Sequence, residues 1–155
     1  MACYLRAAEK EDMDLLFEWA NEPLVRKHSF SDKEITYEEH KKWFQALLND
    51  PNRRQYIYMK EEQPIGQVRM ELDGETAKIG YSICAGMRGK GYGTLLLREA
   101  CVCARRDFPD IRTFVGEVKP ENQASKRAFF KAGFYEKKYT YEVSADQFDA
   151  NCQGF

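Results

Sequence analysis

Six consecutive residues, Arg88-Gly89-Lys90-Gly91-Tyr92-Gly93, carry the strongest chemical signal in the chain. Glycines let a backbone press against a ligand and adopt turns that side chains forbid. Where such a loop opens a helix, its free N–H groups seat a phosphate. Arg88 and Lys90 add positive charge, so the chemistry expected here is the holding of a phosphorylated cofactor. A second constellation, Asn122, Ser125 and Phe129, falls on one helical face at about 100° per residue. Its amide, hydroxyl and aromatic ring can flank an extended ligand arm. Equally, Ser125 and Phe129 can pack their helix on a sheet. Glu117 is a third candidate, an acid continuing the strand face of Ile111, Thr113 and Val115. It marks either the rim of a pocket or a surface ion pair.

These residues need elements to hold them. Tyr4 to Ala7 reads as a first strand, and Glu11 to Asn21 as a helix with Met13, Leu16 and Ala20 on one face, ended by Asn21-Glu22-Pro23. Thr36 and Glu39 form a capping box for a second helix, Thr36 to Asn49, with Trp43, Phe44, Leu47 and Leu48 as its apolar stripe. Strands follow over 55–60, 64–72 and 77–84, the last two joined at the hairpin signal Asp73-Gly74. The glycine loop then leads into a helix over 94–106, a strand from Ile111 to Val118, and a helix from about Glu121 to Ala132 stopped by Gly133. Phe134 to Val143 reads as one last strand, and Ser144 and Gln147 as caps for a further turn. This order predicts a single α/β or α+β domain with a mixed sheet.

At 155 residues the chain can bury a real core, and its apolar and charged fractions, 43% and 32%, are those of a soluble globular protein. The N-terminus lacks the apolar stretch of a signal peptide, no run approaches a membrane span, and a cytoplasmic location is expected. With a net charge of −1 and interspersed signs, no nucleic-acid surface and no membrane partner are expected. The five cysteines, at 3, 84, 101, 103 and 152, form neither a CxxC pair nor a cluster with histidine, so reduced thiols and no metal site are expected.

The loop is not a Walker motif, because Tyr92 follows Gly91 where lysine is required. A dinucleotide fingerprint needs GxGxxG inside an early βαβ unit, and here GxGxG follows three antiparallel-looking strands. Arg88-x-x-Gly91-x-Gly93 does resemble the [Q/R]-x-x-G-x-[G/A] motif of the GCN5-related N-acetyltransferases. Ile79-Gly80-Tyr81-Ser82-Ile83 is similar to that family's fourth strand. Asn122, Ser125, Phe129 and Lys131-Ala132-Gly133-Phe134, about 30 residues further on, resemble its fourth helix and following turn.

The resemblance spans nearly the whole chain. It implies one acetyltransferase domain over 1–155 with a tail from 143, and a mostly antiparallel sheet of six to seven strands. That sheet splays between its fourth and fifth strands and is flanked by about four helices. It implies acetyl-CoA as co-substrate and direct transfer to a small-molecule amine acceptor, with no acyl-enzyme. The cofactor would be held by Ile83, Cys84 and Ala85 at the strand end, and by Arg88, Gly89, Lys90, Gly91, Tyr92, Gly93 and Thr94 in the loop. Asn122, Ser125 and Phe129 would line the pantetheine arm. Lys126 is either a phosphate contact or a solvated lysine.

Family members commonly protonate the leaving thiolate with a tyrosine eight residues after the asparagine. Phe130 stands there and has no proton to give, so the proton comes from water or another group, with Tyr81 and Tyr92 as nearby candidates. Lys78-Ile79-Gly80 lacks the glutamate that many relatives carry ahead of the glycine, so Glu117 is the expected base.

Within the family, 21–26 and 35–44 resemble the nucleotide-sugar amine acetyltransferases of pseudaminic acid synthesis. That likeness matches His40 and Glu117 to the acceptor; Ala20 stands where some of those enzymes carry a phosphate-binding arginine, and Arg26 or Lys27 is expected to take its place. The ribosomal-protein alanine N-acetyltransferases are the next resemblance, and a non-catalytic acyl-CoA-binding domain is the reading outside the enzyme class. A homodimer through the last strand is an analogy to relatives.

Overall fold

A computed structural model describes residues 2–137 and 140–149, so Cys152 lies outside the described residues. The chain forms β1 (Cys3–Ala7), α1 (Met13–Ala20), α2 (Pro23–His28), α3 (Tyr37–Leu48), β2 (Arg53–Lys60), β3 (Gln63–Asp73) and β4 (Thr76–Ile83). It continues as α4 (Tyr92–Asp107), β5 (Thr113–Glu117), α5 (Gln123–Lys131), β6 (Tyr135–Lys137) and β7 (Thr140–Ser144). The strands make one sheet in the order β1-β2-β3-β4-β5-β7-β6. Every pairing is antiparallel except β4–β5. A parallel pair needs a crossover, and α4 supplies it. No helix among the described residues is long and apolar enough to cross a membrane.

Strand alternation divides the interior into two cores. Tyr56, Tyr58, Val68, Met70 and Ile79 face α4 and α5 with Leu96, Leu97, Ala100 and Phe129. Ile57 and Met59, at the alternate positions of β2, face Leu16 of α1 and Phe44 of α3. Register carries this face across the sheet: Ile57 opposes Gln67, and Gln67 opposes Ser82. Gln67, Arg69, Lys78 and Ser82 therefore look towards the α1/α3 side, and Tyr81 and Ile83 towards α4 and α5.

The capping box forms as read: the Glu39 amide donates to Thr36 Oγ1 at 3.2 Å, and the Thr36 amide donates to Glu39 Oε2 at 3.3 Å. Gly74, at φ 62°, turns the β3–β4 hairpin. The first helix ends as read, α1 stopping at Ala20 with Asn21-Glu22-Pro23 after it. Pro23 then opens a further helix not expected from the sequence, α2, where its missing N–H costs nothing. Two expectations are corrected. The last strand divides into β6 and β7, which pair with each other, so β7 lies inside the sheet and β6 forms the edge opposite β1. Ser144 precedes the 3-10 turn Ala145–Phe148, but its side chain does not cap it. Of the described cysteines, Cys101 is buried and Cys3, Cys84 and Cys103 are half-buried.

Candidate functional site

The β4–β5 pairing covers only Thr76↔Thr113, Ala77↔Phe114 and Lys78↔Val115. Beyond it β4 runs on to Ile83 and β5 to Glu117 without pairing, and a gap opens between them. Backbone groups of β4 line this gap. The Cys84 amide donates to the Ile65 carbonyl of β3 at 2.9 Å. Successive residues alternate in direction, so the N–H and C=O of Ile83 point the other way, into the gap. The Ile83 carbonyl accepts from Arg88 Nε at 2.9 Å, which leaves its N–H as a donor to a ligand.

At the mouth of the gap, Gly89 (φ 76°) and Gly91 (φ 85°) hold left-handed backbone, and a Cβ on either would meet nothing within 4 Å. Gly91 precedes α4 and brings no side chain to cap it, so the amides of Tyr92, Gly93 and Thr94 lead the helix uncapped. With the partial positive charge of the helix end, they form an anion seat beside the gap. Lys90 is exposed at the same loop.

Tyr81 sits at the root of this seat. Its hydroxyl lies 3.1 Å from Ser125 Oγ at the start of α5. Its ring lies 3.3 Å from where a Cβ of Gly93 would be, and Phe129 meets it edge-on at 5.7 Å. Burial pushes the Tyr81 phenol above its ordinary value, with the Ser125 contact pulling partly back. The phenol therefore keeps its proton at neutral pH and can give it up to a stronger base.

Several expected roles change. Phe130 is 74% exposed on the outer face of α5, so it does not face the gap; the inward residue is Phe129, also without a proton to donate. Phe129 is itself a core residue, stacked on Tyr141 and edge-on to Phe134, and its ring fills the space a side chain at Gly116 would take. Tyr92 turns its ring inward beneath Lys60 and can offer a ligand only its amide. Cys84 has spent its amide on β3, and Ala85 opens a 3-10 turn, Ala85–Met87. Asn122 caps α5, its Oδ1 accepting from the Ser125 amide at 3.2 Å. Lys126 lies 4.0 Å from Glu136.

Arg88 is bound to Glu22 through both Nη atoms. Its hydrogen bond, helped by its charge, holds the Glu22 carboxyl below the ordinary carboxylate value. Glu117 is exposed and pairs with Lys78 at 2.8 Å; its strand face is half-exposed, and the buried face of β5 is Phe114 and Gly116. Arg26 clamps its own loop, donating to the carbonyls of Ala20, Ser31 and Lys33. His40 is buried among Phe17, Trp43 and Phe44, with Nε2 3.1 Å from the Met13 carbonyl. Burial lowers its pKa, so it is a neutral strut between α1 and α3 rather than a phosphate contact.

The opposite face of the sheet carries polar groups that sequence reading passed over. Gln55 Nε2 donates to Gln67 Oε1 at 2.6 Å, and Gln67 Nε2 donates to Ser82 Oγ at 3.0 Å. Arg69 stacks on Trp43 at 5.2 Å and reaches over Gly80. Alternation hinted at this: polar residues at every second position from Gln67 to Glu71 of β3, and at Lys78 and Ser82 of β4.

The family model described as the acetyltransferase (GNAT) domain matches residues 3–135. The chain belongs to the GNAT acetyltransferase family. A curated GNAT relative, the acetyltransferase PseH of Campylobacter jejuni subsp. jejuni serotype O:23/36 (strain 81-176), is 23% identical over 142 residues, 90% of this chain and 88% of its own. Among solved structures, AAC(6')-Ib in complex with ribostamycin and coenzyme A superposes with a TM-score of 0.84 at 20% identity over 99% of both chains. Spermidine N-acetyltransferase from Vibrio cholerae, in complex with CoA and spermine, gives a TM-score of 0.84 at 17% identity over 94% of this chain and 97% of its own. Enzymes of the family use acetyl-CoA as co-substrate, and solved neighbours of this chain hold CoA.

Proposed function

We propose that the protein transfers the acetyl group of acetyl-CoA directly to a primary amine carried by a nucleotide-linked amino sugar. One observation carries the reading of the donor: a donor-lined strand gap opens beside an uncapped helix N-terminus. The pyrophosphate would lie on the amides of 92–94 with Lys90 beside it, and the pantetheine arm would enter the gap along Ile83.

The amine attacks the thioester carbonyl, and the developing oxyanion accepts from the Ile83 N–H. A donor aimed in this way typically contributes about 3 kcal/mol to transition-state stabilisation. Collapse of the tetrahedral intermediate breaks the C–S bond, and the Tyr81 phenol gives its proton to the departing thiolate. The proton lost from the amine goes to Glu117 once that carboxylate leaves Lys78.

The acceptor class rests on the similarity to PseH along 90% of the chain. With Arg26 and His40 committed elsewhere, the anionic part of such an acceptor would meet the Nη groups of Arg69 on the α1/α3 face, whose Nε is held by Glu71 at 3.2 Å, and sugar hydroxyls would meet Ser82. A second reading, a polycationic amine, is supported by the neighbours bound to ribostamycin and spermine. Thiol release from acetyl-CoA over a panel of amino-sugar nucleotides, aminoglycosides, polyamines and N-terminal peptides separates them. Turnover of the sugar nucleotides above the rest is expected. Turnover of peptides, polyamines or aminoglycosides alone excludes the sugar reading, and acetyl-CoA binding without turnover of any amine favours a non-catalytic domain.

A further inference from the structure

Helix α2 touches the extensions of both splayed strands. At its start, Glu22 receives Arg88 in a forked pair, Nη1 to Oε1 at 3.1 Å and Nη2 to Oε2 at 2.6 Å. The same guanidinium holds the Ile83 carbonyl through Nε at 2.9 Å. At the other end of α2, the Lys27 carbonyl accepts from Lys119 Nζ at 3.0 Å. Arg88 follows β4 and Lys119 follows β5. The helix therefore bridges the two strands beyond the point where their own pairing stops.

We propose that α2 is a crossbar setting the width of the β4–β5 gap, with Glu22 a positioning residue that acts on the donor site through Arg88. A planar guanidinium held by a carboxylate fork is fixed in direction as well as distance. Three of its five N–H groups are committed here, two to α2 and one to the strand end that lines the gap. Both side chains are under one-third exposed, so the pair is less screened than a surface bridge. Lys119 fastens the other end through a single solvent-exposed bond to a carbonyl, which makes Glu22–Arg88 the principal fastening.

The two roles open to Arg88 predict opposite signs. If it were a phosphate ligand restrained by Glu22, Glu22→Ala would free it and tighten acetyl-CoA binding. As a strut, it leaves the strand end to drift when Glu22 is lost, and binding weakens. Calorimetric titration of acetyl-CoA into the wild type, Glu22→Ala, Glu22→Gln, Arg88→Ala and the double alanine variant, each with a thermal melt, decides between them. The crossbar predicts about fivefold weaker binding in each single alanine variant and a double variant no weaker than either single. It also predicts partial recovery in Glu22→Gln, which keeps one acceptor oxygen. Tighter binding in Glu22→Ala, unchanged binding in both singles, or losses that add in the double variant overturn it. Should the alanine variants fail to fold, Arg88→Lys keeps the charge and removes the fork: weakened binding supports the crossbar, and wild-type binding overturns it.

Discussion

Gly116→Ala lowers stability by about 3 kcal/mol. A Cβ at this position would lie 2.3 Å from Phe129 Cζ and 2.5 Å from its Cε1. The ring has nowhere to go, because Tyr81, Phe134 and Tyr141 pack around it and Phe129 is 2% exposed. Relief requires either β5 or α5 to shift, and those two elements border the gap. For a chain of this length a loss of this size lowers the melting temperature by roughly 9 °C. Thermal melts of the wild type and variant measure it; a shift under about 2 °C would show that the ring can re-pack.

Tyr81→Phe lowers kcat about 100-fold while leaving the KM for acetyl-CoA near the wild-type value. The phenol is the buried hydroxyl that joins β4 to the start of α5, and burial keeps it protonated. Removing one oxygen preserves the packing on Gly93 and Phe129 but leaves the thiolate to take its proton from water. Steady-state rates with varied acetyl-CoA test this. A KM that rises while kcat holds would make Tyr81 a wall of the cofactor site rather than the proton source. Ser125→Ala removes only the partner of the phenol and should reduce kcat less.

Much of the donor site is legible in the sequence because it is built from local features. Glycines at 89, 91 and 93 announce left-handed turns and a close approach, and the helix that follows needs nothing else to present its amides. The hairpin at Gly74 and the box at Thr36 and Glu39 are local in the same way. What sequence hides is partnership across distance. Arg88 reads as a phosphate cation until its partner, 66 residues away, is seen, and Glu22 reads as a helix end because it precedes proline. Arg26 and His40 have the residue types of phosphate contacts, yet one closes a loop and the other fills an aromatic core. Phe129 and Phe130 are adjacent and chemically identical, and only the phase of α5 decides that the first is buried and the second exposed. The division of the last strand is not marked in the sequence, because no glycine, proline, asparagine or aspartate stands between Phe134 and Val143.

The central claim is that acetyl-CoA lies with its pyrophosphate on the start of α4 and its thioester arm in the β4–β5 gap. Backbone amide resonances followed during an acetyl-CoA titration test it most directly. The account predicts the largest shifts at Ile83 and along 89–94, with smaller ones at Tyr81 and Ser125, while Arg26, His40 and Phe130 stay still. Shifts centred on the α1/α3 face, or none along 89–94 at saturating acetyl-CoA, would contradict it.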